Sequence, residues 1–182
     1  YAKWTFLPDL GRGEGCMGLS PVTAPSATSF EDAPCLEYQV YFPKTGTQTV
    51  CLGVLPTQDV MPERGLRLAF GLDGGIVRTL DARQGFVDTF SEYTPKNLKK
   101  SPKLKPLPPR NKTLKLINGD GFCRNEIFDN LRWLTAEFEV EKPGLHTFKV
   151  YMVDPEIVLE QLVFNPDNTH PSYFGAPSVR HQ

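Results

Sequence analysis

The chain has 182 residues, 20 Lys and Arg against 21 Asp and Glu, and a net charge of −1. This length suits one domain with a full core, and near-neutral charge excludes attraction to nucleic acid or anionic membrane by the surface as a whole. With 40% apolar and 23% charged residues the composition is that of a folded chain, and no run approaches the roughly 18 apolar residues of a spanning helix.

The sequence opens at Tyr1 without Met and without an apolar leader, and so reads as a processed product or a piece of a longer protein. Trp4 is expected in the core. Residues 9–22, "DLGRGEGCMGLSPV", contain Gly13-Glu14-Gly15-Cys16-Met17-Gly18, a literal G-x-G-x-x-G. A dinucleotide fingerprint needs an apolar strand before the glycines and a helix N-terminus after them. Here Pro8 and Asp9 break the run before, and Pro21 and Pro25 spoil a helix after. The glycines are expected instead to give a tight loop positive φ between two strands.

Alternation then dominates. "CLEYQVYF" places Leu36, Tyr38, Val40 and Phe42 on one face. After the turn "PKTG", Val50, Leu52 and Val54 repeat the period of two, and the pair reads as a hairpin. "GLRLAFGLDGG" sets Leu66, Leu68, Phe70 and Leu72 inward and ends in the turn Asp73-Gly74-Gly75. Residues 94–115 differ in kind: seven Lys, one Arg, five Pro and no acidic residue. They read as an extended loop, either a solvated insertion or a docking surface for an anionic partner. Within it lie a P-x-x-P run, Pro106 to Pro109, and the glycosylation sequon Asn111-Lys112-Thr113.

"NGDGFCRNE" carries Asn118, Asp120 and Glu126 but not the spacing of a calcium loop, and reads as a turn. "WLTAEFEVE" turns Leu134, Ala136, Phe138 and Val140 inward and Thr135, Glu137 and Glu139 outward. After Pro143-Gly144, "LHTFKVYMV" buries Phe148, Val150 and Met152. "PEIVLEQLVF", residues 155–164, is short, rich in β-branched residues and bounded by prolines, and is read as a strand rather than a helix. The expected fold is all-β: an antiparallel β-sandwich of eight to ten strands, one domain over 1–182, each sheet burying one face.

Chemistry is sparse. Cys16, Cys35, Cys51 and Cys123 are widely and irregularly spaced, and read as buried free thiols ahead of disulfides. Without a close ligand pair, zinc is not expected. There is no G-x-S-x-G, H-E-x-x-H or Walker sequence. His146, at a strand start, reads as a turn or core residue bonded to backbone rather than a general base, and His170 and His181 fall in an irregular tail. No cofactor is expected. What remains is binding. An exposed aromatic ring can stack on the apolar face of a sugar while neighbouring polar groups bond its hydroxyls. Trp133, preceded by Asp129, Asn130, Leu131 and Arg132, offers that combination, or else packs as a core Trp. Tyr173 and Phe174 either line a cleft or staple the C-terminus to the sandwich.

Several segments resemble one family. Trp4, Pro8, Leu10, Gly11 and Arg12 form a "W-x-x-x-P-x-L-G-R" that is similar to the opening of the C-terminal domain of family 115 glycoside hydrolases. "APCLEYQVYF", "VLPTQD", "LRLAFGLDGG", "PGLHTFKVYMVDPEIVLEQLVFN" and "SYFGAP" resemble its successive strands in order. The most specific parts are Gly144-Leu145-His146 through Asp154-Pro155, and Ser172-Tyr173-Phe174-Gly175. The resemblance fails across roughly 76–130. It implies a jelly-roll sandwich similar to carbohydrate-binding modules. It also implies a non-catalytic accessory role in a secreted or periplasmic enzyme that removes glucuronic acid branches from xylan, whose active site belongs to other domains. The implied partners are a plant polysaccharide and the catalytic domain of the same enzyme, with neither nucleic acid nor membrane. The expected sugar contacts, Trp133, Asn130, Arg132, Tyr173 and Phe174, rest on residue type and placement and not on the resemblance; the structural calcium of related modules is not carried over. The alternative is a protein-interaction module without glycan affinity.

Overall fold

The computed structural model describes residues 2–57, 61, 64–83 and 130–166. Among them are nine strands: β1 (Lys3–Pro8), β2 (Gly15–Ser20), β3 (Cys35–Phe42), β4 (Gly46–Val54), β5 (Arg67–Leu72), β6 (Gly75–Asp81), β7 (Arg132–Val140), β8 (Gly144–Met152) and β9 (Val158–Phe164). They form two sheets, ordered β1-β2-β9-β4-β7 and β3-β8-β5-β6, and every pairing is antiparallel. The all-β sandwich expected from alternation is what forms. No helix among the described residues is long and apolar enough to cross a membrane.

The period of two becomes burial directly, because successive Cβ atoms leave a strand on opposite faces. Along β7 every second side chain from Arg132 to Val140 is buried and every intervening one exposed. The inner faces meet in an aromatic cluster. Phe42, Phe70 and Phe148 come from the four-stranded sheet, Phe138 and Phe164 from the five-stranded one. Phe148 lies 4.9 Å from Phe164 and 5.5 Å from Phe70 between ring centroids, and Phe42 lies 5.7 Å from Phe138. The Phe70 pair is stacked and the other two are edge-to-face, and rings at such spacings contribute beyond the area they bury. Trp4 packs on this core and donates its indole N–H to the Pro34 carbonyl at 3.1 Å.

One pairing differs from expectation. β3 and β4 are not a hairpin: β3 pairs with β8, and β4 lies between β7 and β9. Residues 43–45 carry the chain from one sheet to the other. Either arrangement buries the same alternating residues, so periodicity could not separate them. The run 155–164 is a strand from Val158 onward; Pro155 and Glu156 form the turn before it.

The glycine-rich opening is the β1–β2 hairpin. Gly11 adopts φ +89, and a Cβ there would lie 2.7 Å from Cys16 Sγ and 2.8 Å from the Glu160 carboxyl carbon. The next residue, Arg12, donates its backbone N–H to Glu160 Oε1 at 2.5 Å. The L-G-R sequence therefore ties the hairpin loop to β9. Cys16 donates its thiol to the Leu10 carbonyl at 3.0 Å. Burial, and then the Glu160 charge, push its pKa up to about 11. Cys16, Cys35 and Cys51 are free thiols, but only Cys16 is buried; Cys35 is exposed. Cys123 lies outside the described residues.

At one end of the sandwich Asp154, fully buried, gathers four donors. Ser26 Oγ and Arg67 Nη2 reach its Oδ1 at 2.7 and 3.1 Å, and the Arg67 backbone N–H and Nε reach Oδ2 at 2.9 and 2.8 Å. Arg64 and Glu156 pair beside it at 3.1 Å.

Candidate functional site

The outer face of the five-stranded sheet carries the largest exposed ring of the expected site. Trp133 is the second residue of β7, 37% exposed. Its register partner on β4 is Gly53. A Cβ on Gly53 would lie 2.9 Å from Trp133 Cζ3 and 3.1 Å from Leu131 Cδ1. The indole therefore lies down across β4, in the space that any other residue's side chain would fill. Lying over backbone keeps one part of the ring packed and leaves the rest open to solvent, an apolar platform with Leu131 beside it and Val163 in the next row.

Around it stand polar groups set by register. Gln161 on β9 is level with Gly53 on the far side. The next row holds Thr135 and Cys51, whose Oγ1 and Sγ are 3.5 Å apart. Beyond it Glu137 stands opposite Thr49, and Glu139 accepts a hydrogen bond from Thr47 Oγ1 at 2.5 Å.

The other expected contacts are distributed differently. Asn130 lies two residues before the start of β7 with φ 51, a left-handed conformation that Asn tolerates better than most residues. It redirects the chain into the strand. Arg132 stands on the opposite face from Trp133 and is only 6% exposed. Adjacent residues on a strand cannot share a face, so Arg132 is a correction to the expected pair: it does not flank the ring. Tyr173, Phe174, Asp129, the basic stretch 94–115, the turn at 118–126, His170 and His181 lie outside the described residues. Gly53, Thr135 and Gln161 were not singled out from the sequence. Their signal is register, which no short stretch contains.

His146 offers no free base. Its Nδ1 lies 2.6 Å from Asp73 Oδ2 and its Nε2 2.8 Å from the Lys142 carbonyl. Both nitrogens face acceptors, so the imidazolium, with two N–H donors, is the form that satisfies both. The Asp73 carboxylate and the Lys142 carbonyl raise the His146 pKa, while the Thr147 backbone N–H and then His146 lower that of Asp73. The latch joins the β5–β6 turn to β8. Its His contribution is complete below the ordinary 6.5 and fades as pH rises through the raised folded value. Its Asp contribution is complete above the ordinary 3.8 and fades only as pH falls through the lowered one. Thermal melts should therefore peak between these limits and lose about 1–3 °C toward pH 9, as suits a pair worth up to ~1 kcal/mol. A His146→Gln variant should lose the alkaline slope; a slope that survives would exclude the latch as its source. Among the described residues no group of three His, Cys, Asp or Glu is placed to hold a metal ion.

The model of the glycosyl hydrolase family 115 C-terminal domain matches residues 1–93 and 121–178. The chain belongs to this family. The match reaches further inward than the sequence resemblance did; it leaves out 94–120 and 179–182, so the basic stretch lies outside what the family model covers. Among solved structures, a family 115 4-O-methyl-α-glucuronidase with specificity for decorated arabinogalactans matches with 12% identity and a TM-score of 0.56, over 91% of this chain and 16% of that one. The likeness establishes the fold, and the chain corresponds to about one sixth of that enzyme's length. The C-terminal CBM6 of LamC, a marine laminarinase from Zobellia galactanivorans, matches with 12% identity and a TM-score of 0.49 over 91% of each chain. A family 35 carbohydrate binding module from Clostridium thermocellum matches with 10% identity and a TM-score of 0.49, over 90% of this chain and 87% of that one. No curated protein sequence matches the chain.

Proposed function

We propose that this family 115 C-terminal domain is a non-catalytic accessory module of a secreted polysaccharide-degrading enzyme, and that it holds glycan on the sheet face around Trp133. The substrate class is decorated xylan or another plant glycan bearing uronic acids. The observation that carries the reading is the indole lying over Gly53, packed on one side and open on the other. A preformed ring loses little entropy on binding, and sugar rings present C–H faces that stack on it. Thr135 supplies a hydroxyl one row along from the platform, and Asn130, two residues before β7, is read as a further contact. His146, the histidine of the described residues, is engaged on both sides, which supports a role in holding rather than cutting.

Trp133→Ala should weaken binding to the preferred polysaccharide at least tenfold in affinity gel electrophoresis, with the melting temperature moved by less than about 5 °C. Stacked aromatic anchors commonly carry the largest share of such binding. Gly53→Val, which lifts the ring, should weaken binding similarly while leaving the Trp in place. Unchanged retardation in both variants would remove the platform from the site.

A second reading has its own observation. Tyr41 and Leu145 are register partners on the outer face of the four-stranded sheet, 57% and 68% exposed. Large apolar neighbours left open in this way suit packing against another domain. This face would then meet the catalytic part of the enzyme while the Trp133 face meets glycan.

A further inference from the structure

The charges around the platform bear on which part of a glycan it takes. Trp133 is the second residue of β7, so the sheet face extends from the ring in one direction along the strand, through Thr135, Glu137 and Glu139. A sugar chain stacked on the indole and running along the strands must pass these rows. Alternate residues on a strand are roughly 6.6 Å apart, which puts Glu137 roughly 13 Å from the Trp133 position. On β4 the facing residues are Thr47, Thr49, Cys51 and Gly53. Neither strand turns a Lys or Arg outward: the one basic residue of the two, Arg132, faces inward. Lys44 and Lys142 lie in the turns beyond the far end of the strip, with Glu141 beside Lys142. Among the described residues Glu137 and Glu139 form no ion pair.

From this geometry we infer that the Trp133 face takes a neutral stretch of glycan backbone and rejects the uronate branches. The inference rests on the glycan-platform reading and makes it specific. Carboxylates only accept hydrogen bonds, and the hydroxyl pairs of a neutral sugar donate them, so Glu137 and Glu139 suit uncharged rings. A uronate laid on the same strip meets two like charges with no outward cation on these strands to offset them. The domain therefore anchors its enzyme on undecorated backbone and leaves the acidic branches off the sheet.

The test uses one polysaccharide in two charge states: glucuronoxylan, and the same material after carboxyl reduction, which changes each uronate to a neutral sugar. Dissociation constants are measured for the full chain, for Trp133→Ala and for Glu137→Gln/Glu139→Gln, at low and moderate salt. The wild type should bind the reduced polymer roughly three- to tenfold more tightly at low salt, the scale of one or two surface charges at this separation. The double variant should bring the two polymers together, and so should salt, as screening shortens the reach of the carboxylates to roughly 10 Å or less. Binding of the acidic polymer as tightly as the reduced one, still dependent on Trp133, would overturn the charge selection and leave the platform standing. Binding of neither polymer, or binding indifferent to Trp133→Ala, would overturn the platform and this inference with it.

Discussion

Phe148→Ala is expected to destabilise the domain by roughly 3–5 kcal/mol, the range for emptying a buried aromatic site. Phe148 is fully buried in β8 and touches rings from both sheets: Phe70 within its own, Phe138 and Phe164 across the interior. Its loss opens a cavity at the seam between the sheets. Collapse to fill that cavity is resisted, because strands held in hydrogen-bonded register cannot approach one at a time. Phe148→Leu keeps most of the volume and should cost about 1–1.5 kcal/mol. Urea denaturation reads both values, and a loss below about 1 kcal/mol for the alanine variant would show that the aromatic cluster does not clamp the sandwich.

Asp154→Ala should cost roughly 3 kcal/mol, about 6–12 °C in melting temperature for a chain of this size. Removing the carboxylate leaves the Ser26 hydroxyl, the Arg67 backbone N–H and the Arg67 guanidinium without their shared acceptor. The penalty for a stranded buried charge is moderated here because the Arg67 side chain is 38% exposed and water can reach it. Ser26→Ala removes a single donor and should cost ~1 kcal/mol. A thermal melt of Asp154→Ala within 2 °C of wild type, against the shift expected for a buried ion pair, would show that the cluster is ornamental. The same cluster explains why Asp154-Pro155 belongs to the most specific part of the family resemblance: it joins the turn before β9 to the start of β5.

The strands themselves were legible from residue order. Alternation in "CLEYQVYF", "WLTAEFEVE" and "LHTFKVYMV" names the buried side chains because the two faces of a strand are set by covalent geometry, residue by residue. The turn at Asp73-Gly74-Gly75 likewise marks where β5 ends, though the strand after it was not read, and the broken surroundings of the glycine run argue against a nucleotide site. Each of these signals is complete within about ten residues. The family resemblance added the accessory role, carried by short segments at both ends of the chain.

Pairing was not legible. "PKTG" looks like the tip of a hairpin and is an arch between layers, since a strand buries the same face whether its neighbour lies beside it or across the core. Arg132 follows the same logic: beside Trp133 in the chain, it is on the far side of the sheet in space.

The chain's order of residues thus settled which side chains enter the core and that two sheets would form around them. Alternation also turned Glu137 and Glu139 outward, but only the folded arrangement set Trp133 on Gly53 and put Gln161 level with that glycine. The cause is range: facing is decided between neighbours along one strand, whereas a surface is assembled from register between strands brought together from distant parts of the chain.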